Sequence, residues 1–367
     1  MFSDGLDQIS QRIKYFSAHY YQQEARVSLQ LQNQLMSHSK ITNRVVSHYL
    51  TTSDQSPSSI FWIAPVMTMN DQAGYTPMIT FLSTLTPPIP FDFGEVACGP
   101  GGLPSNTSIL ERSFGAALWQ VDFMLYSMTV GVDRVHMQSG YGFEFSLWQP
   151  DEFNGLPAAV YANYYAHMFV AEFIGSSGGM QAVEMGTGGS DTLTAYAAFE
   201  HGQVARVALV NLGYFDGTAS SASQRTSQIF TLAVPAWVHS VTIATLTAPL
   251  GATAIDTSGI TWAGQTFTLA NNGTGVPVGS ANTILHMQNG MVSVPVAQSE
   301  AVMVFFGNFS GSATVTSAGA NGTQTAVPTG SAASATATHR SGGSHKGVYE
   351  IVEIAALVAG VPLWLAW

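Results

Sequence analysis

Glu95 closes the run Pro90-Phe91-Asp92-Phe93-Gly94-Glu95-Val96, which reads as a short buried strand ending in a carboxylate. Gly94 stands before it, and a Gly/Pro-rich loop, Gly99 to Pro104, comes after. The C-terminal end of a parallel strand is where β/α enzymes keep their reacting groups. A carboxylate there has the position of the nucleophile of a retaining glycoside hydrolase. That reaction needs a second carboxyl group about 5–5.5 Å away as acid and base. Two neighbouring strand ends add polar and aromatic groups. One is Ala18-His19-Tyr20-Tyr21; the other is Arg134-Val135-His136-Met137-Gln138, continued by Ser139-Gly140-Tyr141-Gly142.

Other chemistries find less support. Gly175-Ser176-Ser177-Gly178-Gly179 has the spelling of a serine nucleophile turn, but it follows a helical pattern where that motif requires a strand. It reads as a linker between domains. The 10 histidines show no His-Glu-x-x-His or Cys/His grouping, so no metal site and no cofactor are expected. Cys98, the single cysteine, excludes an intrachain disulfide and reads as a small buried residue behind the strand.

The elements that must hold these residues come in two textures. Up to about residue 175, short strands alternate with helices. Strands are expected at Lys14–Tyr21, Pro90–Val96 and Val132–Met137. Helical spacing covers Leu29–His38, Phe114–Val130 and Tyr164–Ile174, and Leu6–Tyr15 reads as the end of a further helix. This alternation predicts parallel β/α units. Beyond Gly178, β-branched and aromatic runs are separated by Gly, Asn, Asp and Pro: Leu193–Phe199, Val204–Leu209, Ile229–Val234, Val241–Leu246, Phe267–Leu269 and Ala301–Phe306. Closely spaced strands without helices predict an antiparallel β-sandwich. The expected domains are therefore 1–175, 178–306, a Ser/Thr/Gly/Ala-rich stalk at 307–346 and an apolar tail at 347–367.

Composition bounds the partners. The chain has 367 residues, 46% hydrophobic and 9% charged, with a formal net charge of -11. Nucleic acid is excluded as a partner, since phosphate binding needs a Lys/Arg surface. The stalk invites O-glycosylation. The tail, preceded by Ser341-Gly342-Gly343, reads as a GPI-attachment signal or as a membrane anchor. Four Asn-x-Ser/Thr sequons, at Asn106, Asn272, Asn308 and Asn321, agree with an extracellular or cell-surface location. The first residues carry no basic and apolar leader pattern, so the signal peptide is expected upstream of this chain.

Several blocks carry a more specific likeness. Phe16-Ser17-Ala18-His19-Tyr20-Tyr21, Phe93-Gly94-Glu95, Ser113-Phe114-Gly115-Ala116-Ala117-Leu118-Trp119-Gln120-Val121-Asp122-Phe123-Met124-Leu125-Tyr126, Asp133-Arg134-Val135-His136-Met137-Gln138 and Gly140-Tyr141-Gly142 occur in that order. Over residues 6 to 306 this resembles the second half of the barrel and the β domain of fungal family 79 glycoside hydrolases, the β-glucuronidase and heparanase type. The resemblance implies a partial (β/α)8 barrel, its C-terminal strands and helices only, followed by the sandwich. It implies that Glu95 is the nucleophile and that Tyr20 orients it by a hydrogen bond. It also implies that His19, Gln138, Gly140, Tyr141 and Gly142 contact a glucuronic-acid-containing glycan. Backbone N–H groups and tyrosine hydroxyls of that loop would hold the sugar carboxylate in a chain poor in arginine. The family's acid/base glutamate follows an asparagine, and no Asn-Glu pair occurs in the sequence. The chain is therefore expected to be inactive by itself, with general-acid assistance of about 10²–10⁴-fold missing. A non-catalytic carbohydrate-binding or cell-wall protein on the same fold is the alternative.

Overall fold

The computed structural model describes residues 10–22, 30–46, 75–99, 109–153, 155–255, 259–307 and 348–351. Three parallel strands, β1 (Phe16–Tyr21), β2 (Phe91–Ala97) and β3 (Arg134–Met137), form one sheet with β2 in the middle. Helices α1 (His38–Val46) and α2 (Tyr75–Ser83) lie between β1 and β2 in the chain, and α3 (Phe114–Thr129) between β2 and β3. Parallel strands require such crossovers. The β/α alternation is thus present. Within the described residues the parallel part consists of these three strands and their helices.

The sequence of α3 explains its position. It is apolar almost all round, and every residue from Phe114 to Ser127 is buried. A helix without a wet face has to be covered on all sides. On one side Phe123 packs on Tyr20 and Phe93, with ring centroids 4.5 Å and 5.6 Å apart. On the other side lies an antiparallel sheet. Ser113 caps the helix by accepting the Ala116 N–H at 3.3 Å, and Gly131 ends it at φ +87°. Ser113→Ala is expected to cost about 1 kcal/mol, seen as a lower urea midpoint at unchanged slope. An unmoved midpoint would mean that this cap contributes nothing.

The change of texture near residue 178 is real. After the short pair β4 (Trp148–Gln149) and β5 (Ala159–Val160), helix α4 (Ala162–Ile174) is the last helix beyond single 3-10 turns among the described residues. Then follow β6 (Gln181–Met185), β7 (Leu193–Glu200), β8 (Gln203–Asn211), β9 (Ser227–Ala233), β10 (Ser240–Thr247), the short β11–β14 within 261–286, β15 (Met291–Ala297) and β16 (Glu300–Phe305). The large antiparallel sheet runs β10-β16-β8-β7-β6 and continues through β11–β13 on the far side of β10. β15 and β9 pair in a second sheet.

The large sheet is covered on both faces, which is why its central strands are continuous apolar runs. Leu193, Ala195, Val207, Leu209, Val302 and Val304 meet Phe230, Leu232, Val292 and Val294 of the second sheet. Their alternates Tyr196, Ala198, Ala208, Val210, Met303 and Phe305 join the core shared with α3 and α4. Period-two alternation thus serves two cores at once. From α4, Phe169 packs on Trp262 at 5.0 Å and Tyr165 on Phe267 at 5.3 Å.

Two expectations are corrected. The helix expected over Leu29–His38 is a short π turn, Leu31–Leu35, followed by α1. The start of α1 is held by a distant residue: Asp191 accepts the His38 N–H through its carbonyl and the Ser39 N–H through its carboxylate, each at 2.8 Å. The expected helix end at Leu6–Tyr15 is, in its described part, a 3-10 turn at Ser10–Arg12. The expected tail contains a strand, β17 (Val348–Ile351), which pairs parallel to β9. Residues 352–367, the stalk beyond Gly307, and the sequons at Asn106, Asn308 and Asn321 lie outside the described residues. Asn272 is exposed, in a left-handed turn at φ +51°. No helix among the described residues is long and apolar enough to cross a membrane.

Candidate functional site

The site forms on the face of the parallel sheet turned away from α3. Register defines that face: His19 pairs with Glu95, and Tyr20 with Val96. β2 carries one residue more than either neighbour, because Ala18–His19 spans Phe93–Glu95 on one side and Val135–Met137 spans Phe93–Val96 on the other. This bulge at Gly94–Glu95 turns the Glu95 carboxylate off the buried face, a common device beside active sites. The Glu95 side chain is 31% exposed and that of His19 59%, with His19 Nδ1 3.9 Å from Glu95 Oε2. The Tyr75 hydroxyl donates to the His19 carbonyl at 2.8 Å and anchors the end of β1 from α2.

Gly94 lies close against the Ser17 side chain of β1. A Cβ at this position would run into the Ser17 hydroxyl of β1. Gly94→Ala is expected to cost about 1–3 kcal/mol, and Ser17→Ala in the same chain should restore most of it. Equal denaturation midpoints for the single and double variants would refute the steric account.

Tyr20 is not the neighbour of Glu95. Its ring is buried against Phe93 and Phe123, and its hydroxyl donates to Gln22 Oε1 at 2.6 Å. The reason is strand parity: adjacent residues point to opposite faces, so His19 and Tyr21 share the Glu95 side while Tyr20 faces α3. By the same alternation His136 and Gln138 follow on the Glu95 side, and the Gln138 N–H donates to the Val96 carbonyl at 2.8 Å.

The loop after β3 carries the remaining expected contacts, with its donors already engaged. Gly140 N–H donates to Ser146 Oγ at 3.0 Å, and Gly142 N–H to Gln149 Oε1 at 3.1 Å. The Tyr141 hydroxyl donates to Asp151 Oδ1 at 2.6 Å. No sequence pattern marks Asp151 as a site residue; only the folded loop brings it to Tyr141.

Behind the end of β2 lies a buried polar group. Cys98 donates to Glu111 Oε1 at 3.8 Å, Arg112 pairs with Glu144 at 3.0 Å, and Asn163 Nδ2 donates to the Glu111 carbonyl at 3.0 Å. Burial, aided by the Glu144 charge, pushes the Glu111 carboxyl up to about 8. Burial and Glu111 push the Cys98 thiol well above its usual range. Glu111 and Cys98 are therefore protonated interior groups. No cluster of three or more His, Cys, Asp or Glu able to hold a metal occurs among the described residues.

The candidate site is thus a carboxylate on a bulged parallel strand, with a two-sheet β domain packed behind the helices. Residues 195–303 match the glycosyl hydrolase family 79 C-terminal beta domain. A β-glucuronidase of Aspergillus niger is 35% identical over 193 residues, covering 50% of this chain and 34% of that protein. One from Neurospora crassa is 37% identical over 121 residues, covering 30% and 22%. The chain thus matches about a third or less of the length of these relatives. A 4-O-α-L-rhamnosyl-β-D-glucuronidase from Fusarium oxysporum shares the fold, with a TM-score of 0.59 at 20% identity over 82% of this chain and 56% of that one. Residues 195–303 are thus similar to the family 79 C-terminal β domain, and part of the chain is similar in sequence to fungal β-glucuronidases.

Proposed function

We propose that Glu95 is the nucleophile of a retaining glycoside hydrolase of family 79 type, acting on β-linked glucuronides of glycans. The observation that supports it best is the bulge that turns Glu95 onto the open face of the sheet, in register with His19. The β-glucuronidase relatives supply the sugar. Gln138 and the loop at Gly140, Tyr141 and Gly142 border the glycan in this reading. The protein acts outside the cell or at its surface, with the stalk and tail as its attachment, and domains divided near residues 175–178.

The chain lacks an Asn-Glu pair, so the leaving oxygen receives no proton from the family's acid. A leaving group that needs no proton bypasses this step. With a dinitrophenyl β-glucuronide, the Glu95 carboxylate attacks the anomeric carbon, the bond to the phenolate oxygen breaks, and a glycosyl ester forms. Without a general base the ester is hydrolysed slowly. The expected result is a burst of about one equivalent of dinitrophenolate, with the glucuronyl label mapped to Glu95 by mass spectrometry. A label on another residue refutes the assignment. Sugar binding with no burst favours the non-catalytic carbohydrate-binding reading.

A further inference from the structure

We propose that the outer edge of β9 is a strand-receiving site, and that its occupant is the tail segment Val348–Ile351 of the same chain. The small sheet runs β15-β9-β17. On one side β9 is paired along its whole length with β15, from Ser227↔Ala297 to Ala233↔Met291. On the other side, among the described residues, only β17 reaches it, parallel and in register with Ile229 to Leu232. β9 cannot turn this edge away. Phe230 and Leu232 are fully buried in the core shared with the large sheet and fix the strand in place.

The two edges of this sheet differ in composition. A free edge presents unpaired N–H and C=O groups, and soluble proteins blunt it with lysine, proline, inward charge or a bulge. β15 carries such a device, because Pro295 has no N–H to offer. β9, Ser227-Gln228-Ile229-Phe230-Thr231-Leu232-Ala233, has no charged residue and no proline, and its register with β15 is unbroken. Left open, such an edge is a template for pairing with another chain. Val348, Tyr349 and Ile351 are residue types favoured in strands. In strand addition the main-chain hydrogen bonds supply the affinity.

Docking has a consequence for the tail. Val348–Ile351 follows the small residues Ser341-Gly342-Gly343. Cleavage there, as an attachment signal requires, separates the strand from the β domain. A docked tail and a cleaved tail are therefore alternative states, and a cleaved chain presents an open β9 edge. That consequence rests on the attachment reading of the tail; the docking itself does not.

Hydrogen exchange of the β9 amides in the full chain is the test. The amides turned away from β15 should be protected, and equally so at every protein concentration. In the double variant Tyr349→Pro/Glu350→Pro they should exchange at least about tenfold faster. A parallel ladder takes its donors from alternate residues, so one of these two positions supplies an N–H to β9. The amides bonded to β15 should keep their protection, which shows that the sheet stays folded. A peptide of residues 346–353 added to the double variant should restore the lost protection, and the same peptide with both prolines should not. Of the single variants, only one should act, because the other proline faces solvent. Unchanged exchange in the double variant overturns the proposal. So do equal effects of the two single variants, or restoration by both peptides alike. Protection in the unaltered chain that fades on dilution also overturns it, because the occupant is then a second copy.

Discussion

Glu95→Gln is expected to abolish the dinitrophenolate burst, lowering the rate of glycosyl transfer on the order of 10⁴–10⁶-fold, as loss of a covalent nucleophile does elsewhere. The substitution is nearly isosteric and removes the charge that attacks. Glu95 is about one-third exposed on an open sheet face, so the neutral amide disturbs no buried partner, and both stability and sugar binding should be retained. Azide gives the second measurement. With Glu95 intact, azide should attack the glycosyl ester and release the β-glucuronyl azide, two inversions giving net retention. With Glu95→Gln, azide can only take the place of the nucleophile and yields the α-azide. A burst that survives Glu95→Gln, or β-azide from that variant, would remove Glu95 from the nucleophile role.

The second large effect concerns the junction between the helices and the β domain. His38 lies between two carboxylates, with Nδ1 2.9 Å from Asp122 Oδ2 of α3 and Nε2 3.0 Å from Glu184 Oε1 of β6. The Asp122 side chain is fully buried and also accepts the Tyr196 hydroxyl at 2.5 Å. The Tyr126 ring stands edge-on to the imidazole at 5.7 Å, and Asp191 holds Ser37 and Ser39 beside it. Burial by itself would lower the His38 pKa; the two carboxylates outweigh it and raise it from 6.5 to about 10.

Removing the imidazole leaves the Asp122 charge buried without its cation. His38→Ala is therefore expected to cost about 3–5 kcal/mol near pH 6. A folded-state pKa above the unfolded one means that the stabilisation is complete below about pH 6.5 and is lost as pH rises through about 10. Glu111 adds to the alkaline loss, because its raised pKa penalises folding progressively between 4.5 and about 8. His167, lowered by burial from 6.5 to about 4, opposes folding as pH falls across that range. Together these place the stability maximum in mildly acid solution. Denaturant midpoints from pH 4 to 10 check this: the gap between the unaltered chain and His38→Ala should narrow at alkaline pH. A gap of constant size would show that the imidazole acts by packing and not by charge.

Patterns carried within one element are legible in the residues themselves. The all-round apolar run of α3 announces a covered helix, and the runs of β7, β8 and β16 announce strands. Gly94-Glu95 on a short apolar strand marks the carboxylate, although the strand runs on to Ala97. β15 carries a weaker signal: Val292, Val294 and Val296 alternate with Ser293 and Pro295, and the proline argues against a strand. That proline is tolerated since β15 is the edge of its small sheet, where one side of the strand needs no partner. The spacing over Leu29–His38 misplaces its helix, because α1 begins where Asp191, far along the chain, supplies the cap.

What the sequence determined by itself was the type of most main elements, the change from β/α units to antiparallel strands, and the place of Glu95 on a short parallel strand. These follow from local periodicity, which a chain carries wherever it folds. The tertiary structure alone decided which side chains meet. It turned Tyr20 inward and His19 toward Glu95, gave the Tyr141 proton to Asp151, and set His38 between carboxylates 84 and 146 residues away. Such pairings depend on strand parity at a bulge and on the packing of distant elements, neither of which is written in the spacing of neighbouring residues.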